Sequence, residues 1–183
     1  NLNDAVVCGG RPSVEASLHG LMKFTYVVHL HPALVNGLTA SVNGKAEAEK
    51  LFGDSFVWVE NTEPGYVLAK KCEAALKEKD VQIIILENHG IFVGADTTEE
   101  IEKIYADIMA KLKAKSGAEP DFSEGETDTE KAVALAPAIR MLTMDGNKGV
   151  VVFNATKEAL NVAASKEAFK ENKKAYTPDH LVY

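Results

Sequence analysis

The sequence predicts an α/β fold of the layered α/β/α type, and three observations carry that prediction. Short runs of β-branched and aromatic residues alternate with segments whose apolar residues recur at helical spacing. Two such runs, Val81 to Glu87 and Ile91 to Ala95, flank Asn88-His89-Gly90, where Asn and Gly tolerate the positive φ of a strand hairpin. Strands and helices alternate without a Gly-x-Gly-x-x-Gly turn, so the dinucleotide-binding version of such a sheet lacks its fingerprint. At 183 residues, 46% hydrophobic and 26% charged, the chain is expected to be one globular domain over 1–183 with a real core.

Each element has a local reason. Ser13 to Lys23 sets Leu18, Leu21 and Met22 at helical spacing, with Ser13 as the N-cap. Phe24 to Leu30 is aromatic and β-branched and reads as a buried strand, which Pro32 stops after His29-Leu30-His31. Ala33 to Ser41 is helical, Asn43-Gly44 supplies a turn, Glu47 to Phe52 is a short helix closed by Gly53, and Phe56 to Glu60 is a strand. Pro64 opens a helix to about Lys79, its missing N–H costing nothing in the first turn. After the hairpin, Thr97 and Glu100 form a capping box for a helix to about Lys115. Asp121 to Asp128 is a loop, Thr129 to Met144 a helix and Gly149 to Phe153 a strand. Thr156 to Ala164 and Lys166 to Lys174 are amphipathic helices, and Thr177-Pro178-Asp179-His180 is a closing turn.

Charge and composition exclude several functions. Against 27 Asp and Glu stand 20 Lys and Arg, a net charge of −7, with no block of consecutive cations to hold nucleic acid or an anionic membrane. No apolar run approaches the roughly 20 residues of a membrane helix. Cys8 and Cys72 are too few for a disulfide framework, which points to a reducing, cytoplasmic setting with Cys72 as a buried or half-buried thiol. The opening Asn-Leu-Asn-Asp, with no initiator Met and no leader, reads as a trimmed start.

Histidine usage points to chemistry. His19, His29, His31 and His89 lie in or beside the elements expected to be buried. Alternate strand residues share a face, so His29 and His31 project together, one repeat of roughly 6 to 7 Å apart. Their ring nitrogens can converge on one ion, with His89 as a third ligand if the strands are neighbours. Three protein ligands leave a position open, as catalytic rather than structural zinc requires. The same spacing also suits two hydrogen-bonded core histidines. Glu15 shares a helix face with His19 at (i, i+4), either as a proton shuttle beside a metal-bound substrate or as a solvated first-turn carboxylate.

Taken in order, Arg11-Pro-Ser-Val-Glu-Ala-Ser-Leu-His19, Val27-Val-His-Leu-His-Pro32 and Leu86-Glu-Asn-His-Gly90 with its following Val-Gly resemble the class II aldolase/adducin family. Pro64 to Ala69 and Thr177 to Tyr183 are similar to segments of the fuculose- and rhamnulose-phosphate aldolases, especially the aldolase part of fused aldolase/dehydrogenase proteins. The resemblance implies a class II aldolase-like fold around a central, largely antiparallel sheet. It implies that His29, His31 and His89 bind zinc or another divalent metal, that Glu15 is the acid/base, and that Ser13 helps bind the substrate phosphate. His19 is left as a supporting or core residue, and His180 has no role. The implied reaction cleaves a ketose 1-phosphate, such as fuculose or rhamnulose 1-phosphate, to dihydroxyacetone phosphate and lactaldehyde. The metal would act as Lewis acid on the enediolate while Glu15 moves its proton. A homotetramer is implied, and the partner is a small sugar phosphate.

Related chemistries stay open at this point: a metal-dependent sugar-phosphate epimerase or dehydratase, or a non-catalytic adducin-like scaffold, though adducin-like domains lack the histidine set. Departures are visible too. Only Gly9-Gly10 stands where the family carries a phosphate loop ahead of Pro-Ser-x-Glu, so the family's N-terminal segment is expected to be lacking. Val14 replaces a serine of the fuculose branch, and no dehydrogenase part follows.

Overall fold

A computed structural model of the chain describes residues 6–7, 9–10, 12–117, 119–143, 149–170, 174–175 and 177. Cys8 and the Pro178-Asp179-His180 part of the expected closing turn lie outside these. Where the length suggests one domain, contacts gather the chain into two compact units, one including everything up to Gly117 and one over Ala118–Lys174.

The first unit is built on four strands: β1 (Tyr26–Leu30), β2 (Phe56–Val59), β3 (Ile83–Leu86) and β4 (Gly90–Ala95). Their order is β1-β4-β3-β2; β1 and β3 run antiparallel to β4, and β2 runs parallel to β3. Two of the three pairings are thus antiparallel, as expected. The directions have a consequence for the site: β1, β2 and β3 all end at the sheet edge where β4 begins.

Helices cover both faces. α2 (Ala33–Thr39), α3 (Gly44–Phe52) and α5 (Thr98–Ser116) supply Val35, Leu38, Phe52, Ile108 and Leu112 to a core with Ile83, Ile85, Ile91 and Val93. α1 (Ala16–His19) and α4 (Tyr66–Glu78) supply Leu18, Leu68 and Cys72 to a second core with Ile84, Leu86 and Phe92. Alternate strand residues feed opposite cores, so β3 and β4 are buried at every position and read as continuous apolar runs. This is the α/β/α layering expected from the sequence. Among the described residues, no helix is long and apolar enough to cross a membrane.

Side chains fasten the layers at few points. Thr97 Oγ1 accepts the Glu100 N–H at 3.2 Å to cap α5, and Gly117 closes that helix at φ 60°. Asp96 Oδ1 accepts from both the backbone N–H and the hydroxyl of Thr25, each at 3.0 Å, tying the end of β4 to the chain entering β1. The Tyr105 hydroxyl donates to Val28 O at 3.1 Å, holding α5 against β1. Lys115 and Lys50 both pair with Glu47 and keep its carboxyl at about 2, joining α5 to α3.

Several local expectations are corrected. The helix expected over Ser13 to Lys23 is only the four residues of α1: Ser13 Oγ accepts the Glu15 N–H at 3.2 Å in a turn of its own, and Gly20 ends the helix. Glu15 is therefore the N-cap residue entering the helix, not a member of its first turn. β1 is an edge strand of the sheet and half-buried rather than buried. Gly44 begins α3 instead of forming a hairpin-like turn, because a Cβ there would stand 2.3 Å from Leu38 O and 3.2 Å from Trp58 Cη2.

The second unit contains α6 (Thr129–Thr143), α7 (Lys157–Ala163) and α8 (Lys166–Lys170). Asp121 organises its loop, accepting from Ser123 through Oδ1 and pairing with Lys157 at 2.8 Å through Oδ2. The strand expected over Gly149 to Phe153 does not form. Its Val150 and Val152 are more than four-fifths exposed, and the pairing found there is one isolated bridge, Glu124 with Thr156. An apolar run becomes a strand only where a neighbour supplies a ladder.

Two measurements check this architecture. Thr97→Ala removes the α5 cap and should cost about 1 kcal/mol in urea unfolding with an unchanged slope. Cys72 is fully buried, and burial pushes its thiol up to about 11. With Cys8 replaced by Ser, a disulfide reagent at pH 8 should modify Cys72 only as fast as the protein unfolds; rapid labelling would show that the α4 layer opens separately.

Candidate metal centre

The sheet edge where three strands end gathers four side chains that can ligate a metal, three imidazoles and a carboxylate. His29 is the fourth residue of β1 and pairs across the ladder with Phe92 on β4. Its ring stacks on the Phe92 ring at 4.0 Å between centroids and 13° between planes. His29 Nδ1 lies 3.0 Å from Ile91 O; a carbonyl can only accept, so Nδ1 carries a proton and donates it there. His31, just past the strand, places its Nε2 2.9 Å from His29 Nε2. His89 sits at the β3–β4 tip and is buried, with its ring centroid 5.0 Å from that of His31 and 5.2 Å from that of His29.

Glu15 closes the group from the other side of the chain. Its Oε1 is 2.8 Å from His89 Nε2 and 3.6 Å from His29 Nε2. One ligand atom from each of Glu15, His29, His31 and His89 lies within 4.8 Å of the others. Hydrogen bonding from His29, then from His89, holds the Glu15 carboxyl far below the usual carboxylate range, overcoming the opposing effect of its partial burial. The carboxylate therefore faces the imidazoles ionised.

The donor set fits a divalent ion such as zinc. Imidazole nitrogens bind zinc at about 2.0–2.1 Å, so two of them on a tetrahedral ion stand roughly 3.3 Å apart, a few tenths of an ångström beyond the separation of His29 and His31 here. The hydrogen bond from Nδ1 of His29 to a main-chain carbonyl is the usual device for fixing a ligand's tautomer and aim.

All four residues expected to form the centre are thus brought together, but His19 is not among them. Its Nδ1 lies 3.1 Å from Val27 O and its ring meets the edge of Phe92, so it braces the aromatic that carries His29. Ser13 is exposed and engages the Glu15 N–H, two residues from the carboxylate. His180 lies outside the described residues.

Other residues shape the centre: Asn88 and Gly90, expected from the sequence only as turn residues, and Glu87, which the sequence reading did not single out. Asn88 adopts φ 55°, which turns the chain so that His89 points back to the sheet edge. Glu87 donates its N–H to Val59 O and accepts the Asn61 N–H at 2.8 Å, tying the hairpin tip to the loop after β2. Gly90 is required by close approach: a Cβ there would stand 2.4 Å from His31 Cδ2 and 2.7 Å from Leu30 O. The segment Leu86-Glu-Asn-His-Gly90 holds these residues in plain sight, but what makes them necessary is the adjacent strand, which spacing along one chain does not reveal. Gly90→Ala should push His31 off the cluster and destabilise the protein by about 1–3 kcal/mol, measured by urea unfolding together with zinc titration.

A family model described as the Class II Aldolase and Adducin N-terminal domain matches residues 1–108. A Bacillus subtilis protein described as the uncharacterized oxidoreductase YuxG is 25% identical over 186 aligned residues, covering 94% of this chain and 27% of that protein. The N-terminal class II aldolase domain of a conserved protein from Thermoplasma acidophilum matches with a TM-score of 0.51 and 27% identity, over 56% of this chain and 47% of that one. An aldolase II superfamily protein from Pseudomonas syringae matches at a TM-score of 0.45 and 14% identity, over 92% of this chain and 58% of that one. The chain therefore spans about a quarter of its curated relative and about half of the solved domain. The stretch matched by the family model includes all four residues of the cluster and the sheet edge that carries them, and the chain belongs to the class II aldolase/adducin family.

Proposed function

We propose that the cluster binds a divalent metal, zinc in the first instance, and that the protein is a carbon–carbon lyase acting on a ketose 1-phosphate. The observation that carries this reading is the convergence of Glu15, His29, His31 and His89 within 4.8 Å at one sheet edge. An adducin-like scaffold has no use for such a set, since packing three imidazoles against a carboxylate brings desolvation that apolar residues would avoid.

His29, His31 and His89 would hold the ion as neutral ligands, leaving it its full charge. A divalent ion bound there supplies Lewis acidity, drawing electron density from a substrate carbonyl. Glu15 does the proton work. Its Oε1, ionised and within 3.6 Å of two imidazole nitrogens, can accept a proton from a substrate hydroxyl or carbon brought to the histidines and return it after bond cleavage. The side of Glu15 toward solvent is where the substrate enters, and Ser13, beside it on the exposed turn, contributes to holding the phosphate. Dihydroxyacetone phosphate and a small aldehyde such as lactaldehyde would be the products.

The proposal includes a cytoplasmic homotetramer. The oxidoreductase description of the Bacillus protein belongs to a chain of which this one spans 27%.

Elemental analysis of protein purified without added metal or a histidine tag should find close to one zinc per chain. His29→Ala and His89→Ala should lose it. Glu15→Gln should keep zinc while the release of dihydroxyacetone phosphate from fuculose and rhamnulose 1-phosphates falls by about 10²-fold or more. Zinc bound with no cleavage of either sugar phosphate would turn the reading toward epimerase or dehydratase chemistry. No zinc, even when it is offered, would turn it toward a scaffold.

A further inference from the structure

We infer that Asn36 is a positioning residue of the metal centre, and that α2 is a fixed spacer between the two segments that carry His31 and His89. The inference rests on the reading of the cluster as a metal site. Asn36 lies in the middle of α2, only 6% exposed. Its Nδ2 donates to the main-chain carbonyl of His31 at 3.4 Å, and its own N–H bonds Pro32 O at 2.9 Å, so both ends of the residue grip the chain where it leaves β1. Three residues on, Thr39 is almost completely buried and its carbonyl accepts the Asn88 N–H at 3.1 Å. Asn88 is the positive-φ residue directly before His89.

One short helix therefore holds the main chain at His31 through one turn and the main chain next to His89 through the next. Residues three apart on a helix share a face and are separated by roughly 4.5 Å along its axis, a distance the helix's own hydrogen bonds keep constant. The spacing of the two loop ligands is set by that rigid element rather than by the loops.

A second feature of Asn36 separates this role from ordinary packing. Its Oδ1 is buried and has no hydrogen-bond partner among the described residues. A buried amide with an unpaired acceptor is a poor choice for stability alone, where an apolar side chain of the same branching would avoid the orphaned group. What the amide adds is the directed N–H toward His31.

The test is a comparison of zinc affinity with metal-free stability. For the unmodified protein, Asn36→Leu and Asn36→Asp, zinc dissociation constants are measured by competition with a chromophoric chelator, and melting is followed after the metal is removed. Leucine removes the donor and the orphaned acceptor together; aspartate keeps the shape but turns an acceptor toward the His31 carbonyl. The expected result is zinc binding weakened about tenfold or more in both variants, with metal-free Asn36→Leu melting at or above the unmodified protein. Unchanged zinc affinity in both variants would overturn the inference and leave the metal centre standing. A parallel fall of affinity and metal-free melting in both would also overturn it, making Asn36 a packing residue. Failure of the unmodified protein to bind zinc would overturn the metal reading and this inference with it.

Discussion

The structure depends on β4 pairing with two strands at once. Its antiparallel ladder with β3 comes from the hairpin and is local in sequence, while its ladder with β1 joins residues more than sixty positions apart. That second ladder puts His29 opposite Phe92 and Leu30 opposite Ile91, and so sets the His-x-His beside the tip that carries His89. Without it there would be two separate histidine segments. With it, one hydrogen bond to Ile91 O and one ring stack on Phe92 hold the His29 imidazole in place.

Much of this was legible in the sequence, and the reasons are local. The uninterrupted apolar runs of β3 and β4, broken only by Asn-His-Gly, signal strands buried on both faces and a reversing turn. The Thr97 and Glu100 pair states its helix start chemically, and the bond between them is present. The histidine set was legible because a side chain that can coordinate is conspicuous at any position. Less legible were features that depend on what lies across a gap. The edge position of β1 and the unpaired run at 149–153 are decided by neighbours distant in sequence or by their lack, and the short α1 by a Ser13 turn that competes with the helix its apolar spacing suggests. A β-branched run carries the same propensity whether or not a ladder awaits it.

Burial and ionisation are arranged with some economy around the site. The residues behind it, Phe92, Leu86 and Leu18, are apolar and close-packed, so the imidazoles have a low-dielectric wall on one side. Glu15 stands on the side toward solvent at the entry to a helix too short to shield it. The carboxylate is thus positioned to meet both the nitrogens and a molecule arriving from outside. A longer first helix, as the apolar spacing alone suggests, would have carried Glu15 inside a regular turn.

The four cluster residues differ in how deeply they are woven into the sheet. His29 lies within the β1–β4 ladder, but His31, His89 and Glu15 all stand just beyond regular hydrogen-bonded strand structure. The ladder thus places one donor directly, while the turns after β1 and between β3 and β4, both tied to α2, place two more at the rim. A change confined to either turn can therefore move a donor without breaking a single rung of the sheet.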